Sequence, residues 1–348
     1  MPIDRELLER IVNTPGIPGF EDEVQDVAAE ALDPVCDEVS RDRVGNVIGL
    51  KRATKRPGTG RAAKIVLAAH VDEIGMMVKH IDDRGFVKCE PVGGLNAKVL
   101  VSQPVRVHGK ETLRGVIAPD FRPDQGDKVP RIQDMRVDLA LPADRVKELV
   151  TVGDVVTFDQ DLVDLNADVF MGRNFDDRIG TYCLVEAMRR LGEVSVDVYA
   201  VSSVQEEVGV RGMPPAAFAI EPDLGLAIDG SLTWGPYFGE TEYNCALGGG
   251  VGIYIMDNLT IGDRRVVAHL LDLCQGRGIA HQRNIGGGTD ASAIQRTARG
   301  ALTTTVGAPV RYMHSTVQLC HRDDMEATSQ LLVAFAETAH ELAEACQR

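Results

Sequence analysis

No two cysteines stand in a CxxC pair, and the seven present (Cys36, Cys89, Cys183, Cys245, Cys274, Cys320 and Cys346) are odd in number and scattered. That spacing excludes a disulfide framework and a zinc ribbon, which need paired thiols, and the cysteines read as ordinary buried residues. No apolar run approaches the roughly 20 residues that a membrane span requires. The opening residues MPIDRELLERIVNTPG are acidic and amphipathic, not basic and then apolar, so no secretory signal is read and the expected compartment is the cytoplasm. Aromatic residues are few, 5% of the chain with one tryptophan. Basic residues number 37 against 52 acidic ones, and the net charge of -15 opposes binding to nucleic acid or anionic lipid.

Familiar nucleophile and nucleotide motifs are missing too. There is no GxSxG, and no cysteine sits in a nucleophile motif. IGGGTDAS contains G-x-G-x-x-A, but Arg311 stands about 20 positions on where a dinucleotide site wants an acid, and no Gly-Lys-Ser/Thr follows. The loop reads as a tight strand-to-helix turn with Asp290 near the helix start. HELAEA lacks the second histidine of HExxH, so His340 reads as a surface residue.

What is present suits a soluble globular chain. Hydrophobic residues make up 44% and charged residues 26%, and 348 residues suffice for one large α/β domain or two domains. Asp4 can cap an amphipathic helix over RELLERIV, and EDEVQDVAAEAL repeats the helical period after the turn TPGIPGF. Strands NVIGL and KIVLAA follow, the second apolar enough to lie mid-sheet with both faces covered. From about Glu73 to Leu165 the text changes to short strand-like pieces (GFVKCEPVGG, QPVRVHG, LRGVIA, VDLALPA, DVVTFD) without a long helix. The α/β rhythm then returns, from the helix RIGTYCLVEAMRRL to a final helix from about Met325. One α/β domain interrupted by a β insertion is therefore expected.

The polar residues of interest stand at strand ends. His70 and Asp72 follow IVLAA, Glu206 and Glu207 follow VYAVSSVQ, and Asp229 follows LGLAI. Open α/β sheets bind ligands beyond those carboxyl edges. Asp176 and Asp177 precede a helix that can dock beside the same crevice, and His314 follows the strand ALTTTV.

Histidine converging with aspartate and glutamate suits a divalent ion of zinc or cobalt type, which takes about four ligands. The candidates are too many for one ion. A carboxylate bridging two ions, with one histidine and one further carboxylate on each, would use His70, Asp176, Glu207, Asp229 and His314. Asp72, two residues from His70 on an extended chain, can accept the hydrogen bond of its other ring nitrogen. Adjacent Glu206 and Glu207 point in different directions, so one can hold a metal while the other, as general base, faces a water. Singly, each of these residues reads more simply: a histidine after an apolar strand is usually structural, and paired acids are usually solvated. Their joint spacing is what points to a site.

In order and spacing, AAHVDEIGMMV, GRNFDDRIG, SVQEEVGVRG, IDG, GGGTDAS and VRYMHS resemble the tetrahedral aminopeptidases, also described as glutamyl or deblocking aminopeptidases and sometimes labelled endoglucanases. The resemblance runs from TPGIPGFEDEV to the final helix. It implies an α/β metallopeptidase domain with a central mixed sheet flanked by helices, at residues 1–72 and 166–348, interrupted at 73–165 by a β-barrel-like dimerisation domain. It implies that His70 and Glu207 each bind a metal ion, that Asp176 bridges the pair, and that Asp229 and His314 complete the set. Asp72 would orient His70 and Glu206 would be the base. Members commonly assemble dimers into hollow dodecameric tetrahedra and trim amino-terminal residues from short peptides. The implied reaction is hydrolysis by a water bridging two divalent metals, zinc or cobalt foremost and manganese next.

After Asp229, GSLTWGPYFGETEYN lacks the Val-Thr and downstream Asp-x-Pro-Gly of many members, which leaves open the side chain accepted at the peptide's amino terminus. An amide deacylase on the same metal site is the nearest alternative. A glycoside hydrolase using Glu206 and Asp229 would need no histidines and would want more aromatic residues. A non-catalytic metal-dependent module would have no use for Glu206.

Overall fold

The first helix forms where its sequence says it should. Asp4 accepts the N–H of Leu7 at 3.1 Å, capping Arg5–Asn13, and Leu7, Leu8, Ile11 and Val12 turn one face inward. Asp22–Leu32 follows and packs beside it. This computed structural model describes residues 3–55, 61–119, 128–237, 239 and 241–347.

The main sheet has eight strands. Its spatial order is Glu38–Arg41, Val47–Lys51, Asp197–Ser203, Lys64–His70, Leu224–Ile228, Leu302–Gly307, Val251–Met256 and His281–Ile285. The four inner strands from Asp197–Ser203 to Leu302–Gly307 run parallel, and the neighbouring strand on each side, Val47–Lys51 and Val251–Met256, joins them antiparallel. This is the expected mixed sheet. Lys64–His70 shows why its middle is so apolar: Ile65, Leu67 and Ala69 face the larger core, while Val66 and Ala68 face a second core. The larger core is covered by the helices Arg5–Asn13, Phe175–Arg190, Arg264–Arg277 and Arg322–Gln347, and the smaller by Met213–Ile220 and Ala291–Arg296. Both faces are sealed, so polar groups find room at the strand ends.

Between these elements lies a closed antiparallel barrel with its own core, including Met76, Val87, Val105, Val107, Val156 and Phe158. Its strands, taken around the ring, are Gly75–Ile81, Val87–Val92, Val137–Asp138, Thr112–Ile117, Pro104–His108 and Val155–Phe158. The sequence reading lacks the first of these, Gly75–Ile81, because its apolar residues continue the run from the preceding sheet strand without a turn signal. VDLALPA contributes only two residues of strand, and a short helix, Ala143–Leu149, follows.

A second sheet of five short strands was not anticipated: Val163–Asp164, Val169–Gly172, Gln318–His321, Pro309–Arg311 and Ser231–Leu232. Strands of two to four residues carry too little periodicity to read. The final helix begins at Arg322, three residues before Met325. His340 is half-buried in it, not on the surface, because that helix packs against Phe175–Arg190 and Arg264–Arg277. Among the described residues Cys36 is half-buried and five other cysteines are buried, all as free thiols; the side chain of Cys346 lies outside the description. No helix among the described residues is long and apolar enough to cross a membrane.

Candidate metal centre

Asp197–Ser203, Lys64–His70 and Leu224–Ile228 are neighbours and parallel, so their carboxyl ends form one edge. His70 is the last residue of its strand, Asp229 follows Ile228, and Glu206 and Glu207 lie just past Ser203. From the larger core side, Phe175–Arg190 brings Asp176, which together with Asp177 departs from helical dihedrals; the peptide bond between them is cis. His314 comes from the loop between Pro309–Arg311 and Gln318–His321 and adopts a left-handed φ of 57°.

These residues converge on Asp176. His70 donates its Nδ1–H to the carbonyl of Asp72 at 3.2 Å, and since a carbonyl can only accept, Nε2 is left to face Asp176 Oδ1 at 3.2 Å. His314 repeats the arrangement. Its Nδ1–H donates to the carbonyl of Gly94 at 3.1 Å, and its Nε2 lies 3.3 Å from Asp176 Oδ2 and 3.6 Å from Glu207 Oε2. Ligand atoms of His70, Asp176 and Asp229 lie within 4.8 Å of one another, as do those of Asp176, Glu207 and His314. Asp176 belongs to both trios. His70, Asp176, Asp229 and the Glu207 side chain are buried, whereas the His314 side chain is 42% exposed and opens the site to solvent.

Each trio offers one imidazole and two carboxylates, a donor set that fits a divalent ion of the zinc, cobalt or manganese type. The electrostatics agree with that fit. Burial opposes charge on His70, yet contacts with Asp176 and Asp72 carry its pKa well above the ordinary value. The hydrogen bond to Asp176 lifts His314 to about 10. Burial, followed by the charge of Asp176, pushes Glu207 to about 8 and Asp229 well above the carboxylate range. Burial raises Glu206 and Asp177 likewise. Asp176 goes the other way: burial would raise it, and the two histidines outweigh burial. Carboxylates here outnumber bases, an excess of buried negative charge that divalent cations would offset.

Asp72 does something beyond the expected orientation of His70. Its carboxylate Oδ1 stands 3.5 Å from His70 Nδ1, farther than its own carbonyl. The two oxygens instead accept the backbone N–H groups of Glu206 at 2.9 Å and Glu207 at 3.0 Å. Glu206 belongs to neither trio and lines the adjoining cavity of about 560 Å³. His321 stands apart from both trios; its Nδ1 accepts the N–H of Asp323 at the start of the final helix. Asp290 is buried behind the site, where it accepts the hydroxyl of Ser203.

Three supporting features escaped sequence reasoning. Glu73, beside Asp72, accepts from Arg173 Nε at 2.8 Å, Asn174 Nδ2 at 3.1 Å and the Gly16 N–H at 3.1 Å, with Arg178 at 3.4 Å. Gln318 Oε1 accepts the Asp176 N–H at 2.9 Å. Gly94, in the loop after barrel strand Val87–Val92, has no room for a side chain: a Cβ there would lie 2.4 Å from His314 Nδ1. The side-chain partners of Glu73, Arg173, Asn174 and Arg178, sit in the very segment, GRNFDDR, that carries Asp176, so the charge pattern around that motif was the available signal.

The M42 glutamyl aminopeptidase family matches residues 45–331. The lysyl aminopeptidase of Pyrococcus furiosus is 33% identical over 345 residues, covering 96% of this chain and 97% of the relative. Among solved structures, an aminopeptidase from the archaeon Desulfurococcus kamchatkensis superposes with a TM-score of 0.93 at 33% identity, covering 99% of this chain and 97% of that one. The Pyrococcus horikoshii TET1 peptidase, described as able to assemble into a tetrahedron or a large octahedral shell, gives 0.84 at 30% identity, with 95% and 98% covered. With the match spanning most of its length, the chain belongs to the M42 glutamyl aminopeptidase family and is a metallo-aminopeptidase.

Proposed function

We propose that this protein removes amino-terminal residues from short peptides at a dinuclear site held by His70, Asp176, Glu207, Asp229 and His314, with Glu206 as general base. The observation that carries the reading is that each carboxylate oxygen of Asp176 faces the Nε2 of a different histidine. When bound, two divalent ions would supply Lewis acidity and lower the pKa of water at the site. Zinc or cobalt suits this donor set best, with manganese next.

The chain's own groups have distinct tasks. The carbonyls of Asp72 and Gly94 fix both imidazoles with Nε2 toward Asp176. The Asp72 carboxylate holds the backbone of Glu206 so that its side chain faces the cavity and stays out of both trios. From there Glu206 can take a proton from the attacking water at its carboxylate and deliver it to the leaving amine.

The barrel, inserted as residues 73–165 between catalytic segments 1–72 and 166–348, is the proposed dimerisation unit. Assembly of dimers into a dodecameric tetrahedron is supported by the described assembly of the Pyrococcus horikoshii relative. The test is release of free amino acids from unblocked and N-acetylated short peptides, using protein stripped of metal and reloaded with zinc or cobalt. Metal-restored release confined to free amino termini, and lost in Glu206→Gln, is the expected result. Release of acetate from the acetylated peptides, with no amino acid freed from the unblocked ones, would make the protein a deacylase. Light scattering reports the assembly, and a monomer would overturn the oligomer.

A further inference from the structure

Beyond the metal trios the cavity is walled by Leu232, Tyr254, Leu259 and Met313. Among the described lining residues there is no lysine and no arginine. Two polar side chains at this end, Tyr254 and Thr289, are already engaged within the protein. Tyr254 donates its hydroxyl to the carbonyl of Gly230 at 2.6 Å, so the cavity meets its ring and not a free hydroxyl. Thr289 shares its hydroxyl between Thr305 at 2.7 Å and Asp257 at 3.2 Å.

The apolar wall is also rigidly seated. Asp257 Oδ1 accepts the N–H groups of Leu259 at 2.6 Å and Thr260 at 2.5 Å, and Asn258 N–H donates to the carbonyl of Gly287 at 2.9 Å. That tight turn sets Leu259 over Gly288, where a Cβ would come within 3.3 Å of its side chain. On the opposite side Met313 closes on Gly230, where a Cβ would lie 2.6 Å from the methionine Cε. Glycine at these two places gives the aliphatic side chains their room.

Resting on the aminopeptidase reading, we propose that this cavity receives the amino-terminal side chain of the peptide and selects an uncharged, apolar one of leucine or methionine size, against glutamate and lysine. An apolar side chain replaces water against Leu232, Leu259, Met313 and the Tyr254 ring. Among the described lining residues a glutamate would find charged groups only in the metal trios and Glu206, with no lysine or arginine to meet it. Outside the metal trios a lysine ammonium would meet, among the described lining residues, no carboxylate but Glu206, the proposed base, because Asp257 is already occupied and lies outside the lining. This preference departs from the glutamyl specificity in the family's description.

The experiment compares kcat/KM of the metal-loaded protein on Leu-Ala, Met-Ala, Glu-Ala and Lys-Ala, together with calorimetric binding of free leucine and free glutamate. Leucyl and methionyl substrates are expected to exceed the glutamyl and lysyl ones by about 10- to 200-fold, the range that an apolar pocket provides. Leu259→Arg, on a half-exposed loop, should lower the leucyl rate and raise the glutamyl rate, and Leu232→Arg repeats the test from the other wall. Glutamyl or lysyl turnover equal to leucyl turnover, or a leucine-to-glutamate ratio unmoved by both arginine variants, overturns the proposal. If no peptide is cleaved while leucine still binds in preference to glutamate and Leu259→Arg reverses that order, the aminopeptidase reading fails and the pocket's selectivity stands.

Discussion

Asp72 Oδ1 accepts the backbone N–H of Glu206 at 2.9 Å, and its second oxygen accepts that of Glu207 at 3.0 Å. One buried carboxylate two residues past the His70 strand thereby fixes the chain at the proposed base and at a proposed metal ligand. Asp72→Asn keeps the shape but turns an NH₂ group toward one of these N–H donors, leaving it without an acceptor. A loss of about 10- to 100-fold in kcat is expected, in the range of outer contacts at metal sites. Steady-state kinetics with metal counts on the same sample decide it; a fully active variant would show that the contact does not position Glu206.

Glu206→Gln removes the proton acceptor and keeps the side chain's size. Because Glu206 is in neither trio, metal content should stay at the wild-type level while kcat falls about 10²- to 10⁴-fold, the usual contribution of a general base. Loss of metal along with activity would instead make Glu206 a ligand.

The scaffold and the cluster were legible to different depths. Long apolar strands such as Lys64–His70 and Leu224–Ile228 announced a sheet buried on both faces, and polar residues at their carboxyl ends announced a crevice. His70, Asp176, Glu207, Asp229 and His314 do lie together, though each stands far from most of the others in sequence. What stayed hidden depends on backbone. The left-handed turn at His314, the Gly94 carbonyl that holds its ring, and the use of the Asp72 carboxylate on two amides leave no periodic or compositional trace. The two-residue strands Val163–Asp164 and Ser231–Leu232 exist because neighbours pair with them, not because their own residues demand it.

Gly94 ties the barrel to the site, and its lack of a side chain is a steric requirement. A Cβ there would come within 2.4 Å of His314 Nδ1 and 2.8 Å of its Cε1, so Gly94→Ala must move the ring. Metal titration of the stripped protein should then show one ion bound normally, at His70, Asp176 and Asp229, and the second weakened about 10- to 100-fold. Gly192→Ala, where a Cβ meets nothing within 4 Å, is the matched control. Equal weakening of both ions would mean that the alanine disturbs the whole fold and not His314.

Glu73 is fully buried against Arg173 and Arg178, whose side chains are 1% and 0% exposed. Burial alone would raise its pKa, but the two guanidiniums outweigh burial and hold the carboxyl below its ordinary value. A folded-state pKa below the unfolded one stabilises the protein fully above the unfolded value, about 4.3 for glutamate, and that contribution disappears as pH falls through the folded value. Glu73→Gln leaves two buried guanidiniums without their counter-charge, and removing one partner of such a cluster costs about 3–5 kcal/mol. Urea unfolding at pH 7 should show a gap of that size between wild type and Glu73→Gln. The gap should narrow as pH falls below about 4, because the wild-type carboxyl then takes up the proton that glutamine mimics. A gap that stays constant down to the acid limit would mean that the glutamate's hydrogen-bonding shape, not its charge, is what the two arginines need.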